Sequence, residues 1–305
     1  MLKLAINMRV IEIKTMSVQP QNHPQAVINP LTGKSYNKEA FQFIDTDNFD
    51  AQIVLDVLQG RRAGVIFRKQ ISEDECKAIK ENFWKSEMRY TRGEAVPAQY
   101  LGTYHYAKKI ETYFEQAEAV NPSLDKLFEN TNDPVNRFGA AVEKLAAEQG
   151  VMYRQAEHDG RKSCRFVMRS WSESGAFSLK PHEDWSQCLD PAQSNFEAQL
   201  MGTNPLMATN MNVEAAEGGF LRYFNIIPDE ASKAELGLTH IGYPYPIESL
   251  EGIQYQDIYP RQGDIYCFNA AAVHAVGPIT SVGQQRATIA FVSGMKDDST
   301  ILTWT

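Results

Sequence analysis

The chain has 305 residues, 43% of them hydrophobic, and a formal charge of −8. That is enough apolar material for a full core, in one large domain or two small ones. The acidic balance argues against a nucleic-acid surface and an anionic membrane, and no apolar run reaches the ~18 residues of a membrane span.

Met1–Lys14 is mildly apolar but is broken by Lys3, Arg9, Glu12 and Lys14, so it makes a poor signal peptide. Met8 and Met16 are alternative starts. Gln19–Pro30 is polar, proline-containing and aperiodic, and residues 1–40 read as a flexible extension. Order is expected from Phe41, with residues 41–305 forming one domain. Cys76, Cys164, Cys188 and Cys267 are too far apart for a zinc-type pairing. Free thiols and a cytoplasmic location are expected.

Phe49–Gln59 has Ile53, Val54, Val57 and Leu58 on one helical face. Ala63–Phe67 reads as a strand. Ser72 and Glu75 form a capping box at the start of a helix running to about Ser86, which buries Cys76, Ile79 and Phe83. Tyr90–Tyr104 reads as a loop, punctuated by Gly93, Pro97 and Gly102. Tyr106–Glu118 and Ser123–Thr131 read as two helices. Asp133-Pro134 is an Ncap–N1 pair for a helix to Gln149, ended by Gly150.

The period then changes. Ser163–Trp171 alternates, with Cys164, Phe166 and Met168 on one face and Arg165, Val167, Arg169 and Trp171 on the other. Ala176–Pro181 leads into His182-Glu183-Asp184-Trp185. Pro205–Val213 and Phe220–Ile227 are strands separated by the Gly218-Gly219 turn, and Asp229–Glu235 is a short helix. Tyr243–Pro260 is an aromatic, proline-bearing loop region. In Gly263–Gly294 a turn at Gly263-Asp264 precedes the strand Ile265–Asn269. A loop carrying His274 follows, then a strand Arg286–Ser293. Thr300–Trp304 closes the chain as a last strand. Helices first and about eight short antiparallel strands afterwards suggest an α+β fold: a jelly roll buttressed by helices over 41–160, its core over 161–305.

The chemistry-bearing residues lie in that second half. His182 and Asp184 are two apart, so an extended chain projects both to one side. Two histidines and a carboxylate on one face of an iron ion form the facial triad of non-haem iron oxygenases, which leaves adjacent positions open. His274 supplies the second imidazole, and Arg286 offers a fixed fork for a carboxylate beside the metal. Each residue alone has a plainer reading. His182 could be a surface histidine beside Pro181, His274 a half-buried histidine among small residues, and Arg286 a strand-edge charge. The ordered set is harder to dismiss. Arg165 and Arg169 could hold an acidic substrate or cosubstrate, or be outward charges. Trp185 could line the pocket or the core, and Tyr243, Tyr245 and Tyr255 could belong to a lid.

Gly218-Gly219, Gly263-Asp264 with Phe268-Asn269, His274 with Val276 and Pro278, Arg286-x-Thr288 and Trp304-Thr305 together resemble a known family. From about Ser163 to Thr305 the chain is similar to the Fe(II)/2-oxoglutarate-dependent oxygenases with a double-stranded β-helix (cupin-like) fold. In particular it resembles the carrier-independent aliphatic halogenases of the hapalindole-alkaloid type. The resemblance implies that His182, Asp184 and His274 hold Fe(II), that Arg286 clamps the distal carboxylate of 2-oxoglutarate, and that Thr288 and Arg169 join it in binding the cosubstrate. It implies O2-dependent hydroxylation, or another oxidation, of an unactivated C–H bond in a small molecule. Two positions depart from the pattern. The halogenases carry Gly or Ala where this chain has Asp184, and relatives often carry an acidic residue where it has Phe220. A non-enzymatic jelly-roll module and a metal-storage cupin are the competing readings. Convergence of His182, Asp184 and His274 separates the first from an oxygenase, and the second gives Arg286 no reason to lie near a metal.

Overall fold

The structure is a computed structural model that describes residues 29–92, 98–172, 177–202 and 204–305. Gly93, Pro97 and most of the expected N-terminal extension lie outside these residues. Residues 29–40 were expected to be part of that extension, but they are tied down. Leu31 is buried, Gly33–Lys34 pairs with Ile227–Pro228, and Thr32 Oγ1 donates to Asp229 at 2.7 Å.

The helices form where the sequence places caps. Asp50 accepts from the Gln52 amide and starts Ala51–Leu58. Ser72 and Glu75 make both bonds of the capping box on Glu73–Lys85, whose Cys76, Ile79 and Phe83 are buried. Asp133 accepts from two amides at the start of Pro134–Glu148. One expectation fails. Instead of two helices there is a single one, Ile110–Lys126, with Pro122 inside it. A proline there costs roughly 3 kcal/mol. The stripe Tyr113, Phe114, Ala117, Val120 and Leu124 is buried along its whole length, and each large side chain returns about 1.5–3 kcal/mol. Burial outweighs the break.

Two sheets carry the second half. The larger has strand order Ile44–Thr46, Gly64–Phe67, Ile265–Asn269, Leu206–Glu214, Arg286–Asp297, Val167–Trp171, Ala98–Leu101 and Tyr90–Arg92, extended through Thr300–Trp304 to Met152–Gln155. The smaller has the order Leu179–His182, His274–Val276, Leu221–Phe224, Tyr255–Ile258. Three corrections follow for stretches expected to be loops. Tyr90–Arg92 and Ala98–Leu101 are sheet strands, His274 opens a strand, and Tyr255–Ile258 is a strand inside the aromatic region. Runs of three or four residues are too short to establish a period of their own, and pairing with neighbours decides them.

The long strand Arg286–Asp297 separates two environments. Phe291 meets Phe138 of the helix Pro134–Glu148 at 5.8 Å between ring centroids. Ala290 and Val292, with part of Phe291 between them, line a cavity of about 360 Å³, which also touches residues of the smaller sheet. The helices thus cover one face of the large sheet, and the cavity lies against the other. No helix among the described residues is long and apolar enough to cross a membrane.

Candidate active site

His182 ends one strand of the small sheet and His274 opens its antiparallel neighbour. The register sets the two residues opposite one another, with ring centroids 4.2 Å apart. Asp184 stands just past the strand end, where its amide donates to the Ala270 carbonyl at 2.9 Å. One ligating atom from each of the three residues lies within 4.8 Å of the others. Asp184 Oδ1 is 3.8 Å from His182 Nε2, and Oδ2 is 3.8 Å from His274 Nε2. The convergence is the one expected, although Asp184 follows the strand rather than sharing its face with His182.

The second ring nitrogens fix the tautomers. A carbonyl can only accept, so His182 Nδ1–H donates to Lys180 at 2.8 Å and His274 Nδ1–H to Ala272 at 3.0 Å. Both Nε2 lone pairs are left facing the common point, as metal-ligating histidines require. Burial pushes His182 down to about 3, with His274 adding to the shift, and it pushes His274 down to about 4. Burial raises the Asp184 carboxyl, opposed by His182 and Arg169. Neutral imidazoles beside a carboxylate make a donor set suited to a divalent first-row metal.

Glu183, which carries no pattern in the sequence, holds the loop between the two ligands. It is buried, and its carboxylate accepts from the Trp185 and Ser186 amides at 2.5 and 2.9 Å and from the Ser186 hydroxyl. Its own amide donates to Gly242 at 3.0 Å. Gly242 has φ +63°, and a Cβ there would stand 2.5 Å from the Glu183 carbonyl oxygen. Lys233, fully buried, acts on Glu183 as its counter-charge.

Arg286 is buried between two residues that line the cavity. Its Nη2 donates to the Tyr266 hydroxyl at 2.7 Å, and its guanidinium lies 5.3 Å from the Trp171 ring centroid. Its Nη1 has no partner, and neither do Arg169 Nε and Thr288 Oγ1, all three being buried. The three side chains are neighbours. Thr288 pairs with Arg169 across the strands, and Arg286 is two residues along on the same face. Buried polar atoms left unpaired cost free energy, and a carboxylate accepting from this group would satisfy them. The residues present therefore fit both a metal ion and an acidic ligand beside it. Arg165, expected on the same strand face as Arg169, instead precedes the strand and pairs with Asp125 and Asp133 at 3.1 and 2.5 Å. It is an outward charge.

The aromatic candidates separate. Tyr243 lines the cavity. Tyr245 is buried in a satellite cluster, and Tyr255 is half exposed, 4.3 Å from the Arg222 guanidinium. Neither forms a lid. Trp185 is not in the cavity wall; its indole donates to the Gly202 carbonyl at 2.9 Å. Tyr266 also lines the cavity; it lies in Ile265–Asn269, which the sequence marks as a strand, but the residue itself was not singled out. Arg92, Tyr100 and Tyr104, which also line the cavity, lie in the stretch read as a loop, and Tyr106, a further lining residue, was read as the start of a helix that begins only at Ile110.

Solved structures share this architecture. The crystal structure of an N-substituted L-amino acid dioxygenase from Burkholderia ambifaria AMMD matches at 14% identity with a TM-score of 0.56, over 84% of this chain and 91% of that one. The same enzyme in complex with alpha-KG matches with a TM-score of 0.55 at 15% identity, over the same shares of the two chains. Fold and site together define an Fe(II)/2-oxoglutarate-dependent oxygenase. The family model of the carrier-protein-independent halogenase WelO5 matches residues 42–305, and the chain belongs to that family. A curated L-isoleucine 3(1)-dioxygenase of Pantoea ananatis (strain AJ13355) is 28% identical over 263 residues, 82% of this chain and 86% of that one. Membership in an enzyme family sets the non-enzymatic reading aside.

Proposed function

We propose that the protein is an Fe(II)/2-oxoglutarate-dependent dioxygenase that hydroxylates an unactivated C–H bond of a small molecule. His182, Asp184 and His274 hold the iron; Arg286, Thr288 and Arg169 hold the cosubstrate. When bound, iron and 2-oxoglutarate supply the oxidative chemistry with O2: the cosubstrate leaves as succinate and CO2, and the substrate gains one oxygen atom. The chain's own part is to keep both imidazoles neutral and aimed, to hold the Asp184 loop through Glu183, and to fix the distal carboxylate at Arg286. The carrying observation is the approach of three ligating atoms to within 4.8 Å of one another. The two sheets bordering the cavity, antiparallel apart from two pairs at the margins of the larger one, support a double-stranded β-helix, with residues 41–305 as a single catalytic unit and the helices as its support. Four buried free cysteines are in keeping with a cytoplasmic protein.

The family is named for halogenases, yet Asp184 keeps the carboxylate, and the curated relative is a dioxygenase. Hydroxylation is therefore favoured over halogenation. The test is succinate release with Fe(II) and 2-oxoglutarate against amino acids, nucleosides and alkaloid-like amines. Amino acids come first because the two dioxygenases above act on them. A substrate-dependent rise in succinate that His182→Ala and His274→Ala abolish is the expected result. Failure of the protein to bind 2-oxoglutarate in the presence of metal would sink the proposal.

Gly219 gives a second check on the clamp. It has φ +58°, and a Cβ there would stand 2.8 Å from Arg286 Cδ. Gly219→Ala is expected to cost about 1 kcal/mol through its backbone. By displacing the guanidinium it should also raise the apparent 2-oxoglutarate constant about tenfold. Thermal melts and cosubstrate titrations separate the two effects. A lowered melting temperature with an unchanged constant would make Gly219 a turn residue only.

A further inference from the structure

We infer that the substrate of this site carries a carboxylate, and that Arg92 holds it at the end of the cavity remote from Arg286. The inference rests on the oxygenase reading and adds the substrate class and the residue that reads it. The register Arg92–Ala98–Trp171–Arg286 runs as one row across four strands. Each strand spacing is about 4.8 Å, so the backbones of Arg92 and Arg286 stand on the order of 14 Å apart. Arg92 lines the cavity itself, while Arg286 sits against Tyr266 and Trp171, which line it. Arg92 lies over the Tyr104 ring at 4.0 Å and near the Tyr100 ring at 5.6 Å. Lys108 Nζ also packs on the Tyr104 ring, at 4.2 Å. Arg92 is exposed and, like Arg89, has no carboxylate partner among the described residues, but of the two only Arg92 lines the cavity, where its guanidinium is free to take a ligand's carboxylate.

The charges in the cavity point the same way. Its lining carries Arg92, Arg169 and Lys180 against one acid, Asp184. The dication, the dianionic cosubstrate, Asp184 and Arg286 together sum to zero. What remains is cationic, inside a chain of formal charge −8. Arg92 and Lys180 are exposed and Arg169 is partly buried, so it is the summed field of the three cations at the cavity, rather than their desolvation, that favours an anionic substrate. The cavity of about 360 Å³ is near the lower end of the ~300–1,000 Å³ of small-molecule sites, and the cosubstrate shares it. The substrate is therefore small. Its body is apolar, because Leu179, Val276 and Leu221 form a paired row in the wall on the strands that carry or flank the triad histidines. A short carboxylic acid with an aliphatic chain, such as a free aliphatic amino acid, meets these demands.

The test uses the full chain loaded with Ni(II), as an inert stand-in for iron, and 2-oxoglutarate. Calorimetry compares L-isoleucine with L-isoleucinamide, and succinate release with Fe(II) then gives KM and kcat. The acid is expected to bind about 10- to 100-fold more tightly than the amide, the range of a hydrogen-bonded charged group. Arg92→Gln should raise KM for the acid by a similar factor with a smaller change in kcat, leave the 2-oxoglutarate constant unaltered, and be partly rescued by Arg92→Lys. Equal binding of acid and amide overturns the inference, as does binding of neither while 2-oxoglutarate still binds. So does an Arg92→Gln variant whose defect lies in the 2-oxoglutarate constant. Loss of 2-oxoglutarate binding in the unaltered protein would instead defeat the oxygenase reading itself.

Discussion

Arg286→Lys is expected to raise the apparent 2-oxoglutarate constant by about tenfold, and Arg286→Ala by about a hundredfold or more. The side chain is 2% exposed, so its charge is held out of water, and burial lowers its pKa. Tyr266 satisfies one arm of the fork, and the other arm, Nη1, has no partner. An ammonium keeps the charge but loses the planar pair of donors, which is why lysine is not a conservative replacement here. Iron affinity should change little, because neither histidine nor Asp184 touches Arg286. Cosubstrate titration gives the constant, metal titration gives the control, and a melt shows whether the variant is folded. An unaltered constant in a folded Arg286→Ala protein would remove Arg286 from the cosubstrate site.

The sequence made some of this legible and hid the rest for physical reasons. Caps are local, so Ser72 with Glu75 and Asp133 with Pro134 marked helix starts correctly. Alternation placed Arg286–Ser293, and a short run of β-forming residues placed Ile265–Asn269, as strands. His182, Asp184 and His274 could be named because their residue types are rare in this pattern, although only pairing of two strands brings them together. Arg92 could not be named. Its strand is three residues long and gains its place from Ala98–Leu101, which in turn pairs with Val167–Trp171. The helix Ile110–Lys126 was read as two for a different reason: the local cost of Pro122 inside it is real, but five buried side chains outweigh it. Glu183 was hidden because a lone acid between two ligands carries no periodicity. Its role comes from Gly242 and Lys233, dozens of residues downstream.

Asp184→Gly is expected to lower hydroxylation by more than about a hundredfold, since loss even of a group supporting a metal ligand costs roughly 10- to 100-fold. The Asp184 carboxylate lies 3.8 Å from each imidazole Nε2, which puts it where a halide ligand would have to stand. It also offsets one of the two iron charges, so chloride has less to gain. The unaltered protein should therefore hydroxylate and not chlorinate, even in concentrated chloride, despite its membership in a family described by a halogenase. Glycine at 184 opens the position and leaves the charge uncompensated. It leaves Glu183 with its own hydrogen bonds to Trp185 and Ser186, so the loop keeps its anchor. Chlorination by the variant further requires the substrate carbon to stand nearer the halide than the oxygen, and that depends on how Arg92 and the apolar row seat the substrate. Product mass spectrometry in chloride buffer, run on both proteins, decides the matter. A chlorinated product from the unaltered protein would remove Asp184 from the ligand set and the hydroxylase assignment with it. A variant that still hydroxylates at full rate would show that Asp184 is not needed to hold the metal.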